Sequence, residues 1–284
     1  MAFSTLPNIG MGTFRLKGND ARDAVKSALS LGYRHIDTAQ MYGNESEVGD
    51  GITSSGIPRR EVFLTTKVWH DQLQHSDVIN SLHDSLSRLK TDHVDLTLIH
   101  WPSPDDAIPM EEYLGALRDA QREGLTTHIG LSNFTCAQMD KAKEVLGDTP
   151  IFTNQVEVHP FLANRKVVEH AQTLGITVTG YMPLAVGKVM DDETLARIGR
   201  EHNASAAQIA IAWVASRGIV PIPSSTRPKH QKSNLDALNI TLREDEIAEI
   251  NSLDRGERIA NPDFAPAWGW RSRPSPPIPA WYPE

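Results

Sequence analysis

The chain has 284 residues, 39% hydrophobic and 23% charged, the make-up of an ordinary soluble globular protein. Its 28 basic and 36 acidic side chains give a net charge of −8 with no long runs of either sign. That argues against nucleic acid as a partner, since phosphate binding needs a concentrated basic face. The single cysteine, Cys136, excludes an internal disulfide and a cysteine-based zinc cage.

Residues 1–12 have neither the basic nor the apolar region of a signal peptide. No apolar run approaches the roughly 20 residues needed to span a bilayer, so no membrane is expected as a partner and a cytoplasmic location is. Extended segments are predicted at residues 9–12, 33–37, 62–67, 96–100, 127–132, 152–157, 177–181 and 219–222. Several are continuous apolar runs, such as Leu96-Thr97-Leu98-Ile99, which suits strands buried on both faces. Helical patterns fill the gaps at 20–31, 45–54, 76–89, 110–122, 136–146 and 164–173. Two further helices, 191–202 and 205–216, precede the eighth strand, and 228–237 and 243–253 follow it.

Strand and helix alternating in this way imply parallel strands joined by crossover helices. The expectation is an α/β fold, a (β/α)8 TIM barrel forming a single domain over 1–284 with two extra helices. An open doubly wound sheet is the competing topology. From residue 262 to 284 prolines recur at 262, 266, 274, 276, 277, 279 and 283, with Trp268, Trp270, Trp281 and Tyr282 among them. No regular element survives that proline density. This tail either folds over the barrel mouth as an irregular loop, with Trp268 lining an apolar pocket, or packs outside.

Polar groups stand at the predicted C-terminal ends of six consecutive strands: Asp37, Lys67, His100, Ser132-Asn133, Gln155 and Tyr181. In a parallel barrel these ends converge on one mouth. Tyr42 follows Asp37 by five residues. Taken alone, Asp37 reads equally well as a helix cap and Tyr42 as packing. Together the groups suggest more. A free phenol has a pKa of about 10, and a nearby lysine ammonium should lower it. Asp37 would hold Lys67, and His100 would orient a substrate oxygen. The set suits proton donation to a carbonyl oxygen that is becoming an alkoxide.

Gly32-Tyr33-Arg34-His35-Ile36-Asp37-Thr38-Ala39 with Glu45 and Val48-Gly49, Gly130-Leu131-Ser132-Asn133-Phe134, Ile99-His100-Trp101-Pro102 and Asn154-Gln155-Val156-Glu157-Val158-His159-Pro160 together resemble the aldo-keto reductase family. Asp95 to Pro104 and Ile222-Pro223-Ser224-Ser225-Thr226 are most similar to its bacterial 2,5-diketo-D-gluconate reductase branch, in particular the B-type enzyme. The resemblance implies a catalytic tetrad of Asp37, Tyr42, Lys67 and His100 and a bound NAD(P)H. Ser132, Asn133 and Gln155 would hold the nicotinamide carboxamide and Tyr181 would stack on the ring. Gly12 and Thr13 would meet the cofactor by backbone, and Pro183, Leu184 and Gly187 would cover its pyrophosphate. Phe14, Trp69 and Trp101 would wall the carbonyl pocket.

The segment after the eighth strand departs from the family. Ser224 and His230 replace a usual lysine and arginine near the adenosine 2′-phosphate, while Arg227 and Lys229 remain, with Ser225, Thr226 and Asn234 nearby. NADPH is the expected cofactor, with NADH as a second. The N-terminal hairpin is shortened to residues 1–8, which should leave the lower end of the barrel less covered. His35 and His159 read as structural. No H-x-H or H-E-x-x-H spacing points to a metal. Gly10-Met11-Gly12 opens no dinucleotide fingerprint, since Arg15 stands where its third glycine would be. The expected activity is reduction of small aldehydes, ketones or keto-sugars such as 2,5-diketo-D-gluconate or methylglyoxal, by a monomer. A non-catalytic NADPH-sensing subunit on the same fold and a metal-dependent barrel hydrolase are the alternatives.

Overall fold

A strand that is apolar on both faces must be covered on both, and a closed parallel barrel does this with its own interior on one side and helices on the other. The computed structural model describes residues 3–269. Its strands are β1 (Met11–Gly12), β2 (His35–Asp37), β3 (Phe63–Val68), β4 (Val94–Ile99), β5 (Thr126–Ser132), β6 (Thr153–Glu157), β7 (Thr177–Tyr181) and β8 (Ile219–Ile222). They pair in sequence order, and every pairing is parallel. The N–H groups of Gly10 and Gly12 donate to the carbonyls of Pro221 and Pro223, each at 3.0 Å, and so join the first strand to the last. The (β/α)8 barrel is thereby closed, and the open sheet is excluded.

The helices are α1 (Gly18–Leu31), α2 (Glu45–Ser54), α3 (His75–Leu89), α4 (Met110–Arg122), α5 (Cys136–Leu146), α6 (Arg165–Thr173), α7 (Glu193–Glu201), α8 (Ala206–Ser216), α9 (Pro228–Asp236) and α10 (Glu244–Asn251). Most turn an apolar face inward, whereas α9 buries the polar side chains of Gln231 and Asn234. On α3 the buried side chains are Val78, Leu82, Ser85, Leu86 and Leu89, one stripe at helical spacing. Helix starts follow local chemistry: Thr135 with Gln138, and Ser205 with Gln208, form reciprocal capping boxes. On β5 only glycine fits at position 130, because a Cβ there would lie 2.7 Å from the carbonyl oxygen of Thr153.

The lower end of the barrel is better covered than the short N-terminus suggested. Phe3 packs edge-on against Phe63, whose ring stacks with Phe152. His128 lies flat on Phe152 at 3.9 Å and donates Nε2–H to the carbonyl of Phe3 at 2.8 Å. Leu6 is buried beside them. Residues 3–8 cover this end because the side chains of Phe3 and Leu6 pack directly against the barrel.

After α10 the chain has no further helix or strand up to residue 269 and lies over the C-terminal mouth. Trp270, Trp281, Tyr282 and the prolines from 274 onward lie outside the described residues. Among the described residues no helix is long and apolar enough to cross a membrane.

Candidate active site

β2 is three residues long and wholly buried, and it ends on Asp37. The chain then makes a short turn over Gln40–Tyr42, closed by Gly43 in the left-handed region at φ 60°. Glycine adopts that conformation without strain, and the turn aims the Tyr42 phenol back over the barrel. Asn44 locks the arrangement. Its amide donates to the carbonyls of Thr13 and Leu16, and its oxygen accepts from Thr38 Oγ1 at 2.9 Å. Lys17 Nζ bonds the carbonyl of Tyr42.

Lys67, on β3, is fully buried and meets three oxygens. Its Nζ lies 2.5 Å from Asp37 Oδ1, 2.9 Å from the Thr38 carbonyl and 3.2 Å from the Tyr42 hydroxyl. Asp37 therefore caps no helix: its other oxygen accepts from Gln155 Nε2 at 2.8 Å. His100, just beyond β4, places its ring 5.6 Å from that of Tyr42, edge to face. The four groups are brought together at one end of the barrel, three of them on its cavity and Lys67 immediately behind.

Their protonation differs from the sequence expectation at one point. Burial, and after it the Asp37 carboxylate, hold the Tyr42 phenol well above its ordinary pKa rather than below it. Lys67 does not offset this, because Asp37 neutralises it and the phenol faces an ion pair instead of a lone cation. Burial also lowers the Lys67 pKa, with Asp37 opposing it. His100 is held neutral, far below the usual histidine range, by burial and then by Lys67 and His70. Its Nδ1 is buried with no partner among the described residues.

A second buried carboxylate went unread in the sequence. Glu45, at the start of α2, accepts from Thr66 Oγ1 at 2.5 Å and from Arg88 Nε at 2.8 Å, and its charge favours the Lys67 ammonium. In the sequence it stood among the residues of the family resemblance, with no partner or role assigned.

The tetrad opens into a cavity of about 970 Å³ that runs from Phe14 and Trp101 at the barrel mouth to the start of α9. Gly12, Asn133, Gln155 and Tyr181 line it beside the tetrad, then Pro183, Leu184 and Gly187, then Ser224 to Arg227, His230 and Asn234. Tyr181 donates its hydroxyl to Asn133 Oδ1 at 2.8 Å, and Asn133 Nδ2 donates to the His100 carbonyl at 3.0 Å. One side chain expected at the carboxamide, that of Ser132, is turned inward, as is the hydroxyl of Thr13, which was expected to act through its backbone. Ser132 Oγ donates to the Gln155 carbonyl at 2.9 Å, and Thr13 Oγ1 to the Asp37 carbonyl at 3.0 Å; neither lines the cavity. The loop after β7 is sharply turned, with positive φ at Met182, Ala185, Val186 and Gly187. Its Val186 and Met190 expose apolar side chains along the cavity.

At the substrate end, Trp69 stands edge-on to His100 at 5.0 Å. Phe264, from the C-terminal segment, packs edge-on against Trp69 and Trp101 at 5.9 and 5.6 Å, and of the three rings Trp101 lines the cavity. Trp268 is buried under the guanidinium of Arg258 at 3.7 Å and, like Trp69 and Phe264, is not among the residues that line the cavity. Proline-rich chain with several aromatics gives no periodic signal by which the packing of Phe264 could have been read. Among the described residues no group of three or more His, Cys, Asp or Glu side chains could hold a metal ion.

A closed barrel that sets a buried phenol, an ammonium and a neutral imidazole beside a long groove defines an oxidoreductase of carbonyl compounds. The profile described as Aldo/keto reductase family matches residues 8–255. The chain is 49% identical over 265 residues to methylglyoxal reductase DkgB of Salmonella typhimurium, covering 93% of this chain and 99% of that one. A crystal structure provisionally named 2,5-diketo-D-gluconic acid reductase B superposes with a TM-score of 0.90 at 44% identity, over 93% of this chain and 94% of the other. An aldo-keto reductase of Bombyx mori in complex with NADP superposes at 0.83 with 34% identity, over 90% and 92%. The chain belongs to the aldo/keto reductase family and is an NAD(P)H-dependent oxidoreductase that reduces carbonyl groups.

Proposed function

We propose that the protein reduces small α-dicarbonyl compounds and keto-sugars with NADPH, using Tyr42 as the proton donor. The observation that carries this reading is the 3.2 Å contact between Lys67 Nζ and the Tyr42 hydroxyl at the floor of the cavity. The relatives named for methylglyoxal and 2,5-diketo-D-gluconic acid favour those substrates.

The residues present fit the cofactor. A groove of this volume, with an exposed apolar loop along one side and Arg227, Lys229 and His230 at its far end, suits an extended dinucleotide. Asn133 and Gln155 would hold its carboxamide, Tyr181 its ring, residues 183–187 its pyrophosphate and the start of α9 a terminal phosphate. When bound, it supplies the hydride.

The protein's own groups handle the rest. High pKa values keep Tyr42 protonated through neutral pH, so the phenol arrives loaded. As charge grows on the substrate oxygen, the proton passes from Tyr42 to that oxygen, and Lys67 stabilises the phenolate left behind. Asp37 keeps Lys67 in place. Neutral His100 offers the same oxygen a hydrogen bond without competing for the proton. Trp69, Trp101 and Phe264 exclude water on the far side.

Initial rates with NADPH and NADH against aldehydes, α-dicarbonyls and keto-sugars test the proposal. Turnover is expected with both cofactors and a lower KM for NADPH. Cofactor binding without oxidation of either across the panel would instead indicate a sensing role. We further propose a monomer in the cytoplasm, a reading that sedimentation and fractionation test directly.

A further inference from the structure

Two side chains of the Asn154–Pro160 stretch have no part in the chemistry just described. Glu157, the last residue of β6, and His159 are both wholly buried. A buried carboxylate is costly unless donors converge on it, and here three do. Oε1 accepts from His159 Nε2 at 2.8 Å and from the N–H of Ile259 at 2.7 Å; Oε2 accepts from the N–H of Ala260 at 2.7 Å. Burial alone would raise its pKa, but His159, Arg258 and the Ile259 N–H outweigh it and keep the group ionised.

Two of the three donors are main-chain groups a hundred residues further along, in a segment with no helix or strand of its own. The anchorage continues beside them. The carbonyl of Phe161 accepts from the N–H groups of Arg255 and Glu257, and the Asn164 amide fixes the Glu157 carbonyl. A few residues past Ala260 the segment delivers Phe264 to Trp69 and Trp101. Ala260 itself lines the cavity, whereas Glu157 does not.

We propose that Glu157 is a positioning residue that sets substrate preference: its carboxylate fixes the segment over the mouth and so places Phe264 against the tryptophans. The inference rests on the reductase reading of that mouth. A large substrate meets this cluster through Trp101, which lines the cavity and is backed by Phe264, while a small one hardly reaches it. Loosening the anchor therefore penalises large substrates through KM and leaves the tetrad and cofactor groove in place.

The test uses Glu157→Gln, which keeps the shape but turns one acceptor into a donor facing an N–H. Methylglyoxal and 4-nitrobenzaldehyde serve as small and large probes. Expected is an increase of about tenfold in KM for the aryl aldehyde, against less than about threefold for methylglyoxal. NADPH affinity, read by fluorescence, stays within about twofold. His159→Ala, which removes the side-chain donor to the same carboxylate but neither main-chain donor, should lower the melting temperature and raise the ratio by less than Glu157→Gln does. Phe264→Ala should reproduce the loss, and combining it with Glu157→Gln should add little. Should Glu157→Gln not fold, Ile259→Pro removes one donated N–H and carries the same expectation. If the wild type reduces neither aldehyde, the reductase reading falls. If the wild type is active and Glu157→Gln keeps its ratio, the positioning role is overturned while that reading stands.

Discussion

The side-chain amide of Gln155 on β6 donates to Oδ2 of Asp37 on β2 at 2.8 Å, reaching across the barrel. Lys67 occupies the other oxygen, so the carboxylate that holds the lysine is itself held by a residue proposed for the cofactor. Gln155→Leu should leave Oδ2 buried without its donor and cost about 1–3 kcal/mol of stability. The urea midpoint should fall and the NADPH dissociation constant rise together. A variant that weakened the cofactor but not the fold would show that this bond is idle.

Tyr42→Phe removes only the hydroxyl and keeps the ring against Phe14, 5.0 Å away. NADPH should bind as before, while kcat for methylglyoxal falls by about 10²–10⁴-fold, the usual contribution of a positioned acid. Undiminished turnover would remove Tyr42 from the mechanism.

Lys67→Met should be severe for the fold as well as for activity. It strands the Asp37 charge in a buried site, a loss of about 3–5 kcal/mol when one partner of such a pair is removed. The double variant Lys67→Met with Asp37→Asn should regain much of that stability in denaturant titrations and none of the activity. Recovery of turnover in the double variant would contradict the role given to the ammonium.

Acid should loosen the barrel before it reaches the carboxylates. His35 is fully buried, and burial lowers its pKa to about 4 from 6.5. A depressed folded pKa means that the native state binds fewer protons than the unfolded chain in this range. The stability due to a neutral His35 is therefore complete above about pH 6.5 and is lost as pH falls towards 4, by about 3 kcal/mol at full effect. His100, also held neutral by burial, acts in the same direction. Unfolding free energies at several pH values between these limits should fall with acid, and His35→Asn should flatten the slope. A slope unchanged by that substitution would refute the assignment.

Much of this was legible in the residues, for a definable reason. The run ending at Tyr181 was placed to the residue and the run ending at Asp37 at its C-terminal end, though that strand begins at His35, two residues later than expected. Parallel closure then forces their ends together whatever the loops do. The direction of the Tyr42 pKa was not legible, because it depends on whether Lys67 is neutralised and on how much solvent is excluded. Glu45 was hidden for a similar reason: its partners Thr66 and Arg88 come from other elements. The packing of Phe264 on Trp69 and Trp101 was not legible because an aperiodic segment is shaped by its anchors, and one of them, Glu157, lies on β6.

Closure of the ring also has a consequence in time. β1 finds its second neighbour only in Pro221 and Pro223, near the end of β8. A ribosome adds about 5–20 residues per second, so roughly 200 residues of further synthesis leave that edge open for about 10–40 s. β1 spans only Met11–Gly12, and so brief a stretch of unpaired backbone offers little for another nascent chain to join.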